Sequence, residues 1–391
     1  MVDLKKEIKL SDLVPRRKPK PRTAAGTRSS GFTGARTRKH AKREIVGLKV
    51  GSSQLAAARV SNNGSANLLQ LARGPLEAGI VVGGEVRNVP ALAEALDAFF
   101  TEHELPRKGV RLGLATNRIG VRAFDIDGIT DEQQLANAIR FRAHEAVSIP
   151  TDEAVLDYHV VNETVDEAGA VSRRIVLAAA YRESIDRYVE ACSSAKIALL
   201  GIDLEGFGLL RAIGPAPHAD GEPARAVVAI SVGHDRSTLA ISDGTVCEFT
   251  RVLEWGGLTL ETAIARELAI TREEALELKL AASLDPDAEE SDDPRVGAAR
   301  EVIKLELQKL ARELVASLQF YQSQPGSLAF SQILLTGGTS RIPGLPEELE
   351  RLTRVSVRRA DPLEHVSATD DLKSREDLAS LSIAIGLGVE A

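Results

Sequence analysis

The sequence predicts an α/β protein made of two copies of one domain around a central cleft, with an α+β unit inserted in the first copy and a disordered basic tail ahead of it. Three observations lead there. An apolar strand ending in glycine occurs twice, as Val46-Gly-Leu-Lys-Val-Gly51 and Val228-Ala-Ile-Ser-Val-Gly233. Each copy runs on into further strand-like sequence and a second turn glycine, Gly64 in one case and Gly244 in the other, at nearly matched spacing. Self-similarity of this kind marks a duplicated unit. The charge distribution then separates a tail from the folded body.

Residues 1–43 carry 14 Lys and Arg against 3 Asp and Glu, leaving 35 against 53 in the remaining 348 residues. The formal net charge of −7 therefore averages an acidic body and a basic tail. The stretch Pro15-Arg-Arg-Lys-Pro-Lys-Pro-Arg22 has too little apolar content to pack, so disorder is expected through residue 43. Within it, Ile8, Leu10, Leu13 and Val14 read either as a short motif that docks on a partner's groove or sheet edge, or as a few aliphatics in a polar tail. Nearby cations could hold an anionic membrane surface, at about 1 kcal/mol for each one close to it. Phe32 is the tail's one aromatic for base stacking and the acidic body repels phosphates, which argues against nucleic acid.

Apolar runs such as 175–181 and 197–202 are far shorter than the roughly 20 residues of a membrane helix, and charges follow Met1 closely instead of a signal-peptide hydrophobic run. A cytoplasmic chain is expected. Cys192 and Cys247 sit in apolar contexts without metal-type spacing, and the seven histidines form no H-x-x-x-H pair, so buried thiols and no structural metal are expected.

Ordered sequence begins at Glu44 with strands at 45–50, 55–60 and 68–73 around an Asn63-Gly64 turn, a three-strand meander. From Val81 the pattern changes. A helix at 90–100 turns Leu92, Leu96 and Phe99 inward, and a strand follows at 110–115. Thr130-Asp-Glu-Gln133 reads as a capping box opening a helix through Val147, with Leu135, Ile139, Ala143 and Ala146 on one face. A strand at 155–161 and an acidic turn near Asp166 close an α+β insertion placed at 81–183. Strand 175–180, helix 184–193 and strand 198–202 come next, and 216–223 reads as a linker. The second copy supplies strands at 226–231, 237–241 and 246–253, an acidic solvated loop at 284–294, an amphipathic helix at 296–322, and a strand at 332–335 that meets Gly337-Gly338. The first domain is thus expected to combine 44–80, 184–220 and 346–391, and the second to span 221–345.

A glycine at the apex of a strand-to-strand turn lets backbone N–H groups approach a phosphate, and consecutive amides form an anion-holding nest. Gly51-Ser52-Ser53 and Gly233-His234-Asp235 both offer this, although a tight hairpin alone explains either one. Their joint occurrence with Leu335-Thr-Gly-Gly-Thr-Ser-Arg-Ile-Pro-Gly344 at a strand end favours a phosphate-gripping cleft.

In order along residues 44–391, these pieces resemble the actin, sugar kinase and heat-shock chaperone ATPase fold, with its duplicated ribonuclease H-like domains. Within it they resemble the PilM family of FtsA-like type IV pilus assembly proteins. The resemblance rests on residues 46–53 and 229–233 as phosphate loops, Val155-Leu-Asp-Tyr-His-Val160 in the insertion, and Ile202-Asp-Leu-Glu-Gly-Phe-Gly-Leu-Leu-Arg211 as a first connecting helix. It continues through Trp255-Gly-Gly-Leu-Thr259, residues 315–324, an adenosine motif at 335–345, and Ser380-Leu-Ser-Ile-Ala-Ile-Gly-Leu-Gly388 as the closing helix. It implies ATP held by Gly51, Ser52, Ser53, Gly233, His234, Lys279, Gly337, Gly338 and Thr339, with Glu205 as a catalytic or metal-shell acid. It also implies a groove between the first domain and the insertion that takes the cytoplasmic tail of a PilN-like membrane protein, beside other pilus assembly components at the inner face of the cytoplasmic membrane.

Four positions depart from that pattern. ATP-binding relatives carry Asp near both phosphate-loop glycines to organise Mg²⁺ and its waters; here those positions hold Lys49 and Ser231. A helper lysine is matched by Ala56, and an acid of the ribose-contacting run by Leu276 in Ala275-Leu-Glu-Leu-Lys279. Phosphoryl transfer depends on the metal to neutralise developing charge. The resemblance therefore implies a scaffold with weak or no hydrolysis, a pseudo-ATPase in which Mg²⁺ lacks its usual acids. The Lys49 ammonium either pairs with phosphate directly, excluding Mg²⁺, or is neutralised by Glu205 or solvent in an empty cleft. The alternative is an active Mg-ATPase with a rearranged site, in which Glu205, Asp203 or Asp235 supplies the missing acid.

Overall fold

A computed structural model describes residues 44–146, 149–150, 152–165, 169–214, 225–288, 291–375 and 377–390. The expected tail with its 7–14 motif, the 216–223 linker, the turn near Asp166 and the helix end at Val147 fall outside the described residues.

The first domain opens with the meander β1 (Glu44–Val50), β2 (Gln54–Asn62) and β3 (Ala66–Pro75), then a two-strand ribbon β4 (Val81–Val82) and β5 (Glu85–Val86), helix α1 (Val89–Glu102) and strand β6 (Lys108–Leu114). The insertion follows as β7 (Ile119–Asp127), α2 (Glu132–Ala146), β8 (Ala154–Val165) and β9 (Val171–Tyr181), in sheet order β7-β9-β8. The chain returns through α3 (Arg182–Ser194), β10 (Ala198–Leu204) and α4 (Glu205–Ile213). The second domain contains β11 (Val227–Val232), β12 (Ser237–Ser242), β13 (Cys247–Leu253), α5 (Gly257–Leu268), α6 (Arg272–Ala281), α7 (Pro294–Gln322), β14 (Gln332–Thr336), α8 (Leu345–Thr353) and β15 (Ser356–Arg359). Helices α9 (Asp370–Lys373) and α10 (Leu378–Gly388) complete the described chain.

The two large sheets run β3-β2-β1-β6-β10 and, read in the same direction, β13-β12-β11-β14-β15. Each is an antiparallel meander extended by two strands parallel to its first. The duplication read from the glycine motif is therefore a duplication of topology. Every residue of β11 and β12 is buried, as expected of strands covered on both faces. Helix α10 is apolar nearly all round because it lies against β1, β2 and α4 at the centre of the molecule. Its crossing with α4 depends on two glycines, since a Cβ on Gly386 would lie 1.7 Å from the Gly208 carbonyl oxygen. Leu209 and Ile213 of α4 join Ile383 and Leu387 of α10 in one core with Val227, Ala229 and Leu334 of the second sheet. The ends of β1 and β11 face one cleft across this layer.

Two boundaries differ from expectation. Strand β6 is hydrogen-bonded between β1 and β10, and Leu92, Leu96 and Phe99 of α1 share a core with Leu48 and Leu112. The insertion thus begins after Leu114 rather than at Val81, around its own core of Leu135, Ile139, Ile175 and Leu177. Similarly, β15 pairs with β14, and Leu345 and Leu349 pack in the second core, so α8 and β15 belong to the second domain. The strand β7 was not anticipated; Val121 and Ile126 are its two buried residues, too few to print an alternation. Asp131 rather than Thr130 caps α2, its carboxylate accepting from the Gln133 and Gln134 N–H groups at 3.1 and 2.8 Å. A cap must reach the second and third helical amides, and Asp131 stands at that offset.

Candidate functional site

The cleft holds a cavity of about 730 Å³ between the two hairpin loops, within the roughly 300–1,000 Å³ usual for small-molecule sites. The loops close alike. The Gly51 N–H donates to the Gln54 carbonyl at 2.9 Å and the Gly233 N–H to the Arg236 carbonyl at 3.0 Å. A Cβ at either glycine would lie 3.0 or 2.8 Å from that same oxygen, so the turn itself requires glycine. This narrows the expected cradle, because both glycine amides are already bonded. The amides of Ser52, Ser53, His234 and Asp235 remain, with no backbone acceptor among the described residues.

Lys49 Nζ lies 3.8 Å from Glu205 Oε2, with the two side chains 15% and 2% exposed. Of the two readings of Lys49, the structure contains the pair with Glu205. Thr238 Oγ1 donates to the same carboxylate oxygen at 3.4 Å, while Glu205 Oε1 and Ser52 Oγ are buried without a partner among the described residues. Unmet buried polar atoms are costly, about 1–3 kcal/mol each, and both residues line the cavity. Ser231 lies buried in the same lining, where it offers a hydroxyl and no charge.

Three expected binding residues are engaged with their neighbours. Lys279 forms a buried ion pair with Glu261, whose carboxylate also lies 3.9 Å from His234 Nδ1. Thr339 Oγ1 donates to the Gly233 carbonyl at 2.8 Å, and the first amides of α5 bond the carbonyls of Gly233 and His234. The second loop is thus held from behind, and His234 and Asp235 line the cavity. Gly337 has φ +95° and lies where a Cβ would meet the Val232 carbonyl oxygen at 2.3 Å. Gly338 differs, since a Cβ there would meet nothing nearer than Ser380 Cβ at 3.8 Å. The fold does not require glycine at 338, whereas a ligand lying flat against the strand end would.

Arg236 was not anticipated. Its buried guanidinium donates from Nη2 to the Val50 carbonyl oxygen at 3.2 Å and from Nη1 to Asp235 Oδ2 at 3.2 Å, joining one loop to the other. A loop arginine resembles a solvated one, and its partner is a backbone atom 186 positions away; the repeat alignment that pairs it with Gln54 was the available signal. Glu261 was missed for a similar reason, being a helix acid with its partner on another helix. Asp203, expected as a substitute acid, is not in the cleft. It pairs with Arg211 and faces a separate groove. Leu276, 39% exposed, and Leu280 give the far end of the cleft an apolar rim.

The cavity lining carries Lys49, Arg73, Arg236, Lys279 and Arg341 against Glu205, Asp235 and Glu261, an excess of two positive charges. Cation excess, free loop amides and the open face of Gly338 fit a nucleotide's phosphates and adjoining sugar and base. A protein-held Mg²⁺ does not fit. Lys49 and Ser231 occupy the strand ends, and among the described residues no three His, Cys, Asp or Glu side chains converge as a donor set.

The separate groove lies between β8 and β9 of the insertion and the β10–α4 junction. It is lined by Leu114, Ala179, Ile185, Ile202, Leu204 and Phe207, with Asp157 and Asp203 at its polar side. β8 and β10 are both edge strands. Leu204 and Phe207 line the groove while Glu205 lines the cleft, so one strand-to-helix junction serves both.

A family model described as type IV pilus assembly protein PilM matches residues 47–391. The chain belongs to this family. Among solved structures it is similar to a PilM–PilN type IV pilus biogenesis complex, with TM-score 0.73, 24% identity, and coverage of 90% of this chain and all of that one. It is also similar to ethanolamine utilization protein EutJ from Carboxydothermus hydrogenoformans, at TM-score 0.50 and 13% identity over 89% of this chain and 90% of that one. Cell division protein FtsA of Neisseria meningitidis serogroup B is 24% identical over 382 residues, covering 88% of this chain and 89% of that protein. The actin-like ATPase fold expected from the loops is the fold these relatives share. Among the described residues no helix is long and apolar enough to cross a membrane.

Proposed function

We propose that this PilM family member is an actin-like scaffold of the type IV pilus assembly machinery, holding the cytoplasmic tail of a PilN-like membrane protein at the inner face of the cytoplasmic membrane. The observation that carries this reading is the apolar groove between insertion and first domain, flanked by the edge strands β8 and β10. An extended peptide can add to a strand edge through main-chain bonds and set alternate side chains into pockets. Similarity to the solved PilM–PilN complex supports the choice of partner.

The cleft in this reading binds a nucleotide that sets the angle between domains and is turned over weakly or not at all. A ligand shifts such an equilibrium only through unequal affinity for its two states. The loop amides, Lys49 and Arg236 would hold phosphates, and the bound nucleotide supplies the charge that bridges the two loops. Lys49 and Ser231 stand at the two strand ends, so neither end offers a carboxylate to organise a metal or an attacking water, and Glu205 is paired with Lys49 through one oxygen.

Calorimetry with the N-terminal tail peptide of the organism's own PilN-like protein tests the reading. Wild-type protein should bind it, and Ile185→Glu, which puts a charge on the groove wall, should weaken binding at least tenfold with an unchanged circular dichroism spectrum. Equal affinity for the two proteins would remove the groove as the tail's site.

A further inference from the structure

The chain carries a segment of its own that suits the groove between the insertion and the first domain. Residues 8–14, Ile-Lys-Leu-Ser-Asp-Leu-Val, lie outside the described residues. Ile8 and Leu10 alternate with Glu7, Lys9 and Ser11, the spacing that puts two apolar side chains on one face of an extended strand. Pro15 ends the run, having no N–H to pair, and Arg16, Arg17, Lys18, Lys20 and Arg22 follow.

The groove complements such a segment in size, edge and charge. Its cavity of about 80 Å³ is near half of the roughly 150 Å³ that takes benzene, which suits the tip of an aliphatic side chain. β8 pairs with β9 in unbroken register from Ala154 to Val160, and among the described residues no strand pairs with its outer edge and no backbone bond from another element reaches 155–160. β10, across the groove, shifts register between Ala198 and Gly201, so β8 offers the regular edge. The lining holds the acids Asp157 and Asp203 and, among the described residues, no cation. Asp203 is paired with Arg211 behind it and Asp157 accepts from the Tyr158 N–H at 3.0 Å, so the excess of charge facing a basic flank is negative.

Reach favours the chain's own tail over a second copy. β1, β6 and β10 are neighbours, with Leu48 level with Leu112 and Leu112 with Ile202. Glu44, where the described chain begins, therefore lies about 17 Å from Ile202 of the groove, at about 3.3 Å per residue and 4.8 Å per strand. Residues 15–43 form a tether of 29 residues, and a coil of that length spans about 30 Å. Such a tether holds the segment near the groove at an effective concentration on the order of a millimolar.

We propose that residues 8–14 dock in this groove of their own chain, pairing with the outer edge of β8 and turning Ile8 and Leu10 onto the apolar lining, and so compete with the PilN-like tail. This rests on the reading of the groove as a peptide site. A partner then meets a groove that is open only for the fraction of time the tail is away, and its apparent affinity falls by that fraction.

The test compares full-length wild type with the full-length double variant Ile8→Ser with Leu10→Ser, whose tail lacks the apolar pair. A fluorescein-labelled synthetic peptide of residues 5–18 should bind the double variant saturably and at least tenfold tighter than wild type, where the tethered segment holds the groove. Ile185→Glu added to the double variant should weaken that binding at least tenfold, each protein keeping the wild-type circular dichroism spectrum. Hydrogen exchange at 155–160 should be slower in wild type than in the double variant, by the same factor at every protein concentration. Equal affinity of the peptide for wild type and double variant, or binding indifferent to Ile185→Glu, overturns the proposal. Protection that grows with protein concentration, together with dimerisation in sedimentation, also overturns it by making a second copy the occupant. A PilN-like peptide that binds while the 5–18 peptide does not sinks this inference and leaves the reading of the groove intact. The reverse result removes the partner and leaves the tail as the groove's occupant.

Discussion

Arg236 donates from Nη2 to the Val50 carbonyl oxygen at 3.2 Å, so a side chain of the second hairpin loop is bonded directly to the backbone of the first. The two domains are fastened at the cleft by a residue of the site itself. Arg236→Ala would remove this bond and leave a buried carbonyl oxygen and Asp235 without their partner. A loss of about 1–3 kcal/mol in unfolding free energy is expected, the range for an unmet buried group. Hydrogen exchange should quicken at residues 50–54 and 233–237, and exchange unchanged at both loops would mean that the contact fastens nothing.

Lys49 and Ser231 predict a gain of metal dependence when both become Asp. Wild-type protein should bind ATP with similar affinity in Mg²⁺ and in EDTA. The double variant Lys49→Asp with Ser231→Asp should bind at least tenfold tighter with Mg²⁺, because two carboxylates then face the phosphates. Lys49→Asp also sets an acid beside buried Glu205, so the variant's folding is checked first by thermal melting. Identical Mg²⁺ dependence in the two proteins would show that these positions do not govern the metal.

Much of this was legible in the sequence, and the failures have physical reasons. Gly51 and Gly233 marked the two loops correctly because a four-residue turn excludes a Cβ at each, a constraint local enough to print. The same locality misled the account of their amides, since the turn that requires the glycine also consumes its N–H. The insertion boundary was misplaced because the short ribbon β4–β5 interrupts the first domain's pattern just before α1, whereas membership of a sheet is decided by β6 pairing with β1, more than 60 residues back. Lys49 and Glu205 could be named from the chain, but their separation could not. Arg236 and Glu261 depend on partners from distant elements and left no periodic trace.

The two thiols predict a pH dependence. Burial pushes Cys192 and Cys247 up to about 12, since a thiolate in an apolar core lacks solvation. The neutral form is favoured in the fold, so this contribution to stability is fully present below the unfolded thiol value of about 8.5. It is lost as pH rises from there through the folded value. Native protein should resist Ellman's reagent at pH 8 and release two equivalents in denaturant, whereas rapid native reaction would place a thiol at the surface.

The most direct test of a cleft retained for holding partners is phosphate release from ATP with Mg²⁺, measured on wild-type protein with and without the PilN-like tail peptide. Release should match the protein-free rate in both conditions, because Lys49 and Ser231 leave both strand ends without a carboxylate to order a metal. Mg²⁺-dependent turnover that Glu205→Ala abolishes would contradict this and make the protein an active ATPase.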